Sequence, residues 1–358
     1  MQMCNFRGAF GPGSEVMKRL LLYLLFSLLL GAELFAGGNS EGNTPALDGV
    51  DSETIEEYPA VPFSLAADFS TDFTQVSVDL GRVVSGGPGK NGIPALFDPK
   101  FISISESSIP DDVQAIVVTA DGGGVVGGET RVYPLNILVW HELINDTIGE
   151  LPILVSFCPL CGSALVFNRT IKSSSEVLDF RVSGWLMDSN MILYDTLTES
   201  LWNQSLGRGI AGMFNEIDLT LLPFTMQRMG IIRDQYPHAL VVSEDTGYLR
   251  DYRRYPYGNY ESSDNLFFPV STIDDRYPRK ELFYIIPYKD YSIALQLESL
   301  VTGVDYLFAD EDFTFTLTWE NEVFTITDES EEIMHGYYEM WFSWSVQHQG
   351  DGIVWNIN

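Results

Sequence analysis

The sequence predicts an α+β fold, with a single β-rich domain and a few short helices over residues 71–358. Most apolar residues occur in short alternating or β-branched runs bounded by turn residues, which is typical of strands. The best helical pattern covers only one short segment. The hydrophobic content of 45% supplies a substantial core, and neither an internal repeat nor a linker divides this region.

The N-terminal segment has the pattern of a secretion signal. Met17 is followed by two basic residues and then by the apolar run 20–30, and a small-residue cleavage site ends at Ala36. Glu33 interrupts the run, which is shorter than the roughly 20 apolar residues that span a membrane. We therefore predict a signal peptide over residues 1–36, with Met17 as the true start, and an exported protein that is periplasmic or extracellular and has no stable membrane insertion after cleavage.

Residues 37–70 form a predicted flexible leader, because residues 37–60 contain few large apolar side chains and many small or acidic ones. The whole chain has a formal net charge of −30. A charge of this size repels nucleic acid and anionic bilayers, so neither is expected as a partner. A soluble protein with a strongly acidic, solvated surface is the simplest interpretation.

The best helical pattern covers residues 134–146, where Pro134 suits the first turn and apolar residues occupy nearly the whole circumference. Such a helix is expected to be buried, with His141 on its buried face. The strand-like runs lie at 115–119, 153–157, 164–167, 177–182 and 191–194. Alternating residues on both sides of 320–322 predict a hairpin, and residues 340–346 predict a final buried element.

The strongest chemical signal is the motif Cys158-Pro-Leu-Cys161-Gly162, which two short apolar runs flank. In thioredoxin-type sites a helix begins at the first cysteine and activates its thiolate. Here the residues after Gly162 resemble a returning strand, so the motif is expected to form a metal-binding knuckle. We predict a transition-metal site, copper or zinc, at this turn. A thiol–disulfide oxidoreductase and a non-catalytic binding or scaffold protein with a structural disulfide are the alternatives.

A four-coordinate metal needs further ligands besides two thiolates. His141 is the leading candidate, because an antiparallel helix and strand bring it level with the cysteines. His335, His348 and Met191 are additional candidates, and Met187 is a further soft ligand for copper(I). The sequence His141-Glu-Leu-Ile-Asn145 lacks the second histidine of a zinc-protease helix, so a protease is not expected.

A polar and aromatic segment supplies a second candidate site. Asp195 and Trp202 could line a pocket together with Arg250 from a later aromatic loop. Asp195 could equally cap a short helix or turn, a role that acidic residues in this position often have.

The order of motifs resembles a known prokaryotic family, domain of unknown function 3179. The resemblance covers about residues 75–350 and depends on the helix pattern and the Cys-Pro-Leu-Cys-Gly motif; the shared segments are 133–146, 157–164, 183–184, 194–195, 200–202 and 256–260. The C-terminal segment 340–344 matches less closely. The resemblance implies an exported protein and brings no established activity, cofactor or substrate.

Overall fold

The computed structural model describes residues 61–119, 128–298, 300–309 and 314–356, all of which belong to one compact unit, residues 57–358. The predicted signal peptide lies outside these residues. The described chain contains four α-helices: α1 Phe63–Asp68, α2 Leu135–His141, α3 Met229–Gln235 and α4 Trp341–Gln347.

The strands are β1 Val83–Ser85, β2 Leu96–Phe97, β3 Phe101–Ser103, β4 Gln114–Thr119, β5 Thr130–Pro134, β6 Leu143–Ile148, β7 Leu151–Cys158, β8 Ser163–Asn168, β9 Phe180–Met187, β10 Asn190–Asp195, β11 Leu201–Asn203, β12 Arg208–Ala211, β13 Thr220–Leu221, β14 Thr225–Arg228, β15 Leu240–Val242, β16 Leu282–Tyr288, β17 Tyr291–Gln296, β18 Asp305–Ala309, β19 Thr314–Glu320, β20 Val323–Asp328, β21 Ile333–Met334, β22 Tyr337–Met340 and β23 Gly352–Trp355. The fold is therefore β-rich, as the sequence predicted, with helices of six or seven residues.

Four sheets organise these strands. The largest has nine strands in the order β2-β6-β7-β8-β22-β16-β17-β23, and β13 pairs with β8. Two five-stranded sheets have the orders β1-β9-β10-β11-β12 and β14-β4-β5-β15-β3, and a four-stranded sheet has the order β18-β19-β20-β21. The central strands β7 and β8 are buried along most of their length. Their side chains belong to the main hydrophobic core, which also includes residues from β4, β16, β22 and α4.

The predicted helix over 134–146 is half helix and half strand. Helix α2 ends at His141, and Glu142 adopts a left-handed φ of 60° that stops it. The chain then enters β6, which pairs antiparallel with β7. The helical extension was wrong because apolar residues on every side are equally suited to a strand buried on both faces.

Two further elements match the sequence pattern, and one boundary differs. Strands β19 and β20 form the predicted hairpin, with Asn321 and Glu322 at positive φ of 50° and 64°, and the predicted final element is the buried helix α4. Helix α1 lies within the segment predicted as a leader and buries Leu65 completely. The packed domain therefore begins before residue 71, because this leucine joins the smaller hydrophobic core. Within the described ranges, no helix has the length and apolar character that crossing a membrane requires.

Candidate dithiol site

The cysteine motif forms a tight turn between two strands. Strand β7 ends at Cys158, which pairs with Ser163 at the start of β8, and the Cys161 amide donates to the Cys158 carbonyl at 3.1 Å. Gly162 has a φ of +60°, and a Cβ on it would lie 3.2 Å from the Leu282 and Met340 side chains. Glycine is required here both by conformation and by space. The predicted strand–turn–strand arrangement is confirmed.

The two thiols lie side by side in the core. Both are free, and the exposed fractions of Cys158 and Cys161 are 1% and 0%. The Cys161 thiol donates to the Ser189 carbonyl at 3.3 Å. Burial raises the pKa of Cys161 well above its usual value, and the neighbouring Cys158 raises it further. The resting pair therefore holds its Cys161 proton tightly.

The turn geometry is compatible with a disulfide. The backbone hydrogen bond from Cys161 to Cys158 defines a four-residue turn, in which the two Cα atoms are less than about 7 Å apart. Disulfides join Cα atoms that are about 4.4–6.8 Å apart. No helix starts at this turn, so the thiols lack the helix N-terminus that lowers a thiol pKa in thioredoxin-type sites.

His141 does not join the thiols. Its Nδ1 donates to the Pro94 carbonyl at 2.7 Å, and its Nε2 accepts from the Tyr252 hydroxyl at 2.7 Å. Burial lowers the pKa of this imidazole, which favours the neutral ring. Over the described ranges, no three His, Cys, Asp or Glu side chains are grouped so that they could hold a metal ion. The predicted three-ligand set of His141, Cys158 and Cys161 is not assembled, because the end of α2 orients the ring toward Pro94 and the 246–252 segment.

The other predicted ligands have separate surroundings. His335 lines a small cavity beside Tyr284 and Tyr338, and burial lowers its pKa. The Nδ1 of His348 bonds to the Asp351 carboxylate at 3.0 Å, and the ring stacks on a tryptophan of α4. Met191 packs within the main core, whereas Met187 packs in the smaller core.

The second predicted site separates into two parts. Asp195 accepts a hydrogen bond from the Thr198 amide at 2.7 Å and another from the Trp202 indole at 3.1 Å. These bonds fix the turn between β10 and β11, which is the capping role that the sequence also allowed. Arg250 lies over the Trp140 ring, 5.7 Å from its centroid, and its electrostatic contacts are with His141 and Tyr252.

Aromatic residues of the 255–260 segment surround the thiols. The Tyr260 hydroxyl donates to the Leu160 carbonyl at 2.9 Å, inside the cysteine turn. Burial raises the pKa values of Tyr255, Tyr257 and Tyr260, and nearby Cys158 raises all three further. The Tyr257 hydroxyl donates to Glu142 at 3.1 Å. This segment therefore packs against the cysteine turn.

Two buried glutamates were missed by the sequence reasoning. Burial raises the pKa of Glu142 to about 7, and burial also raises the pKa of Glu339 to about 7. Glu339 has an exposed fraction of 0%, and its charge contributes to the raised pKa of Cys161. A charged residue inside the otherwise apolar stretch 337–346 was the available signal, because an acidic side chain there is expected to be buried.

Comparison with known families agrees with the motif pattern. A family model described as "Protein of unknown function (DUF3179)" matches residues 90–350, which is well over half of the chain. The chain belongs to this family. No curated protein and no solved structure matches it.

Proposed function

We propose that this member of the DUF3179 family uses Cys158 and Cys161 as a dithiol–disulfide couple, which exchanges two electrons with thiols or disulfides of other molecules. The observation that carries the proposal is an isolated pair of adjacent free thiols in a turn of disulfide-compatible geometry. In the exported compartment that the N-terminal sequence predicts, disulfides form readily.

The ligand set supports the couple over a zinc site. Structural zinc takes four protein ligands and catalytic zinc takes three. Among the residues that the structure describes, the pair gains no third His, Cys, Asp or Glu ligand. Copper(I) held by the two thiolates stays a prediction, because thiolates are soft ligands that select this ion.

The length of the closed loop argues against a purely stabilising disulfide. A bridge between Cys158 and Cys161 closes only four residues, which gives about 2 kcal/mol by the chain-entropy relation. The hydrogen bonds between β7 and β8 already close this loop in the folded chain. Because the bridge would add little stability, a disulfide that opens and closes reversibly is the role that we favour for these cysteines.

The reaction conserves atoms and electrons. In the oxidising direction the protein dithiol and a partner disulfide, R–S–S–R, become the protein disulfide and two R–SH molecules. Two electrons pass from Cys158 and Cys161 to the partner sulfurs, and the two thiol protons end on the two released thiols. Because both thiols are buried, the partner must be small or must displace the tyrosine segment.

Equilibration with reduced and oxidised glutathione tests the proposal. The experiment uses the full-length Cys4→Ser variant, in which Cys158 and Cys161 are the only cysteines. At each glutathione ratio the free thiols are alkylated and counted by mass spectrometry. We expect a two-electron transition between about −120 and −270 mV, the range of thiol–disulfide enzymes. Cys158→Ser and Cys161→Ser variants should each abolish the transition.

Two results would contradict the couple. A disulfide that resists reduction below about −300 mV would indicate a structural bridge. Stoichiometric copper or zinc in the same purified protein, lost in Cys158→Ser, would replace the redox function with metal binding.

A further inference from the structure

A line of buried polar groups begins at Cys161 in an otherwise apolar core. The Met340 amide donates to the Cys161 carbonyl at 2.8 Å, which joins the end of β22 to the cysteine turn. Glu339 precedes this methionine, and Ser343 lies four residues later in the first turn of α4. The Ser343 hydroxyl donates to Glu339 Oε1 at 2.6 Å. Both side chains lie close enough to the Cys161 thiol to influence its pKa, which Glu339 raises and Ser343 lowers. Ser343 is therefore a neighbour of both the thiol and the carboxyl group.

The line continues from Glu339 to the surface. Gln347 Nε2 lies 3.5 Å from Glu339 Oε1 and donates to Ser205 Oγ at 2.6 Å. The Ser205 hydroxyl is also near enough to Glu339 to lower its pKa slightly against the larger effect of burial. Ser205 lines an open cleft with a volume of about 420 Å³, whose wall includes His348 and Asp351. A polar path thus connects the buried thiol pair with this cleft.

The burial of Glu339 is not explained by stability. The second carboxyl oxygen, Oε2, is buried and has no hydrogen-bond partner among the described residues. Within the same part of the chain, no ion pair includes this side chain. A buried carboxyl group without full hydrogen bonding destabilises the folded state, so a functional role is indicated.

We propose that Glu339 is the base that removes the Cys161 proton through the Ser343 hydroxyl when the disulfide closes, and that Ser205 and Gln347 connect this base to the cleft. The inference rests on the proposed dithiol function and deepens it, because it names the group that makes Cys161 reactive. Ser343 is the positioning residue, and Glu339 acts on the reacting proton.

The Cys158 thiol first loses its proton to solvent. The resulting thiolate attacks one sulfur of a partner disulfide, R–S–S–R, and forms a mixed disulfide while R–S⁻ leaves. The Cys161 sulfur then attacks the Cys158 sulfur and displaces the second R–S⁻. The Cys161 thiol, which donates to the Ser189 carbonyl at rest, turns its proton toward Ser343. That proton moves to Ser343 as the Ser343 proton moves to the Glu339 carboxylate, so one net proton is transferred. The two electrons reside on the two released thiolates, which become two R–SH molecules when they take up protons from solvent and Glu339 releases its own.

The surroundings of Glu339 set the direction of the pH dependence. From the cysteine turn it faces Cys161, and on its own strand it influences Tyr337, whose pKa burial raises so far that the phenol stays neutral. The contacts from α4 and from the 205 loop are uncharged: Ser343, Gln347 and Ser205. With a pKa of about 7, the glutamate becomes a base as pH rises through neutrality, so disulfide closure should accelerate over that interval.

The experiment separates the two chemical steps. 4,4′-Dithiodipyridine releases one thiopyridone when Cys158 forms the mixed disulfide and a second when Cys161 closes the protein disulfide. We mix it with full-length Cys4→Ser protein at pH 7 and follow both releases by stopped-flow absorbance. In Glu339→Gln we expect an unchanged first release and a second release slowed on the order of 100-fold, the lower range of general-base effects. Ser343→Ala should slow the same release and leave the first unchanged.

Glu142→Gln is the matched control, because Glu142 is the other buried glutamate with a pKa of about 7. It should leave the rate of the second release unchanged, and near-ultraviolet circular dichroism checks folding. If Glu339→Gln does not fold, Ser343→Ala and the pH profile of the parent protein decide the matter. Equal second releases in parent and folded Glu339→Gln, or equal slowing by Glu142→Gln, would overturn the relay while leaving the couple intact. Absence of the second release in the parent protein would overturn the couple itself.

Discussion

Replacing Gly162 by alanine should destabilise the protein in two separable ways. The φ of +60° disfavours a side chain by roughly 1–2 kcal/mol. The new Cβ would also lie 3.2 Å from Leu282 Cδ1 and from Met340 Cγ, so the buried neighbours must shift. Overpacking of this kind costs about 1–3 kcal/mol, and the two effects together predict a loss of about 2–5 kcal/mol.

Gly303→Ala is the matched control for the backbone effect. Gly303 has a φ of +73°, and nothing lies within 4 Å of its Cβ position. Its replacement should therefore cost only the roughly 1–2 kcal/mol of the left-handed conformation. Urea unfolding, monitored by tryptophan fluorescence, gives the free energy of unfolding for both variants. A Gly162→Ala loss no larger than the Gly303→Ala loss would refute the close packing of Met340 and Leu282 against the cysteine turn.

Two further predictions concern the buried acid and the cover of the thiols. Burial raises the pKa of Glu339 from 4.5 to about 7, so between these pH values the folded state keeps a proton that the unfolded state has lost. The free energy of unfolding of the parent protein should therefore fall as pH rises from about 4.5 through 7. Glu339→Gln lacks this titration, so its free energy of unfolding relative to the parent protein should rise by up to about 3 kcal/mol between pH 4.5 and pH 8, measured by urea unfolding at both pH values. A difference between the two proteins that does not change with pH would contradict the raised pKa. Tyr260→Phe removes the hydrogen bond to the Leu160 carbonyl, worth about 1 kcal/mol, and should accelerate alkylation of the thiols by N-ethylmaleimide about fivefold. Tyr255→Phe is the control, because the Tyr255 hydroxyl of the parent protein bonds to Glu261 and not to the cysteine turn. Equal acceleration by both variants would show that the Leu160 contact does not control access to the thiols.

The sequence contained enough information for the strand–turn–strand arrangement of the cysteines. Alternating and β-branched residues predict β7 and β8, and Gly162 predicts a turn with positive φ. The hairpin of β19 and β20 follows from the same kind of pattern. These features depend on residues that are neighbours in the chain, so local propensity and periodicity suffice to predict them.

The position of His141 could not be read in this way. A helix over 134–146 and a helix that ends at His141 have the same apolar pattern, because strand β6 is buried on both faces. The left-handed conformation of Glu142 decides between them, and glutamate gives no local signal for it. The contacts of the ring with Pro94 and Tyr252 join segments 47 and 111 residues away, which periodicity does not specify.

The relation between Glu339 and Cys161 also depends on a long-range pairing. Strand β22 lies beside β8 in the sheet, although more than 160 residues separate them in the chain, and only this order brings the glutamate next to the cysteine turn. A dithiol at the tip of a hairpin has no helix N-terminus to lower its thiol pKa, and burial raises that pKa instead. Reactivity near neutral pH then requires a base within the core. Glu339, which is hydrogen-bonded to Ser343 and whose pKa burial raises to about 7, is the base that we propose, and under this proposal the sheet order matters for the chemistry as well as for the packing.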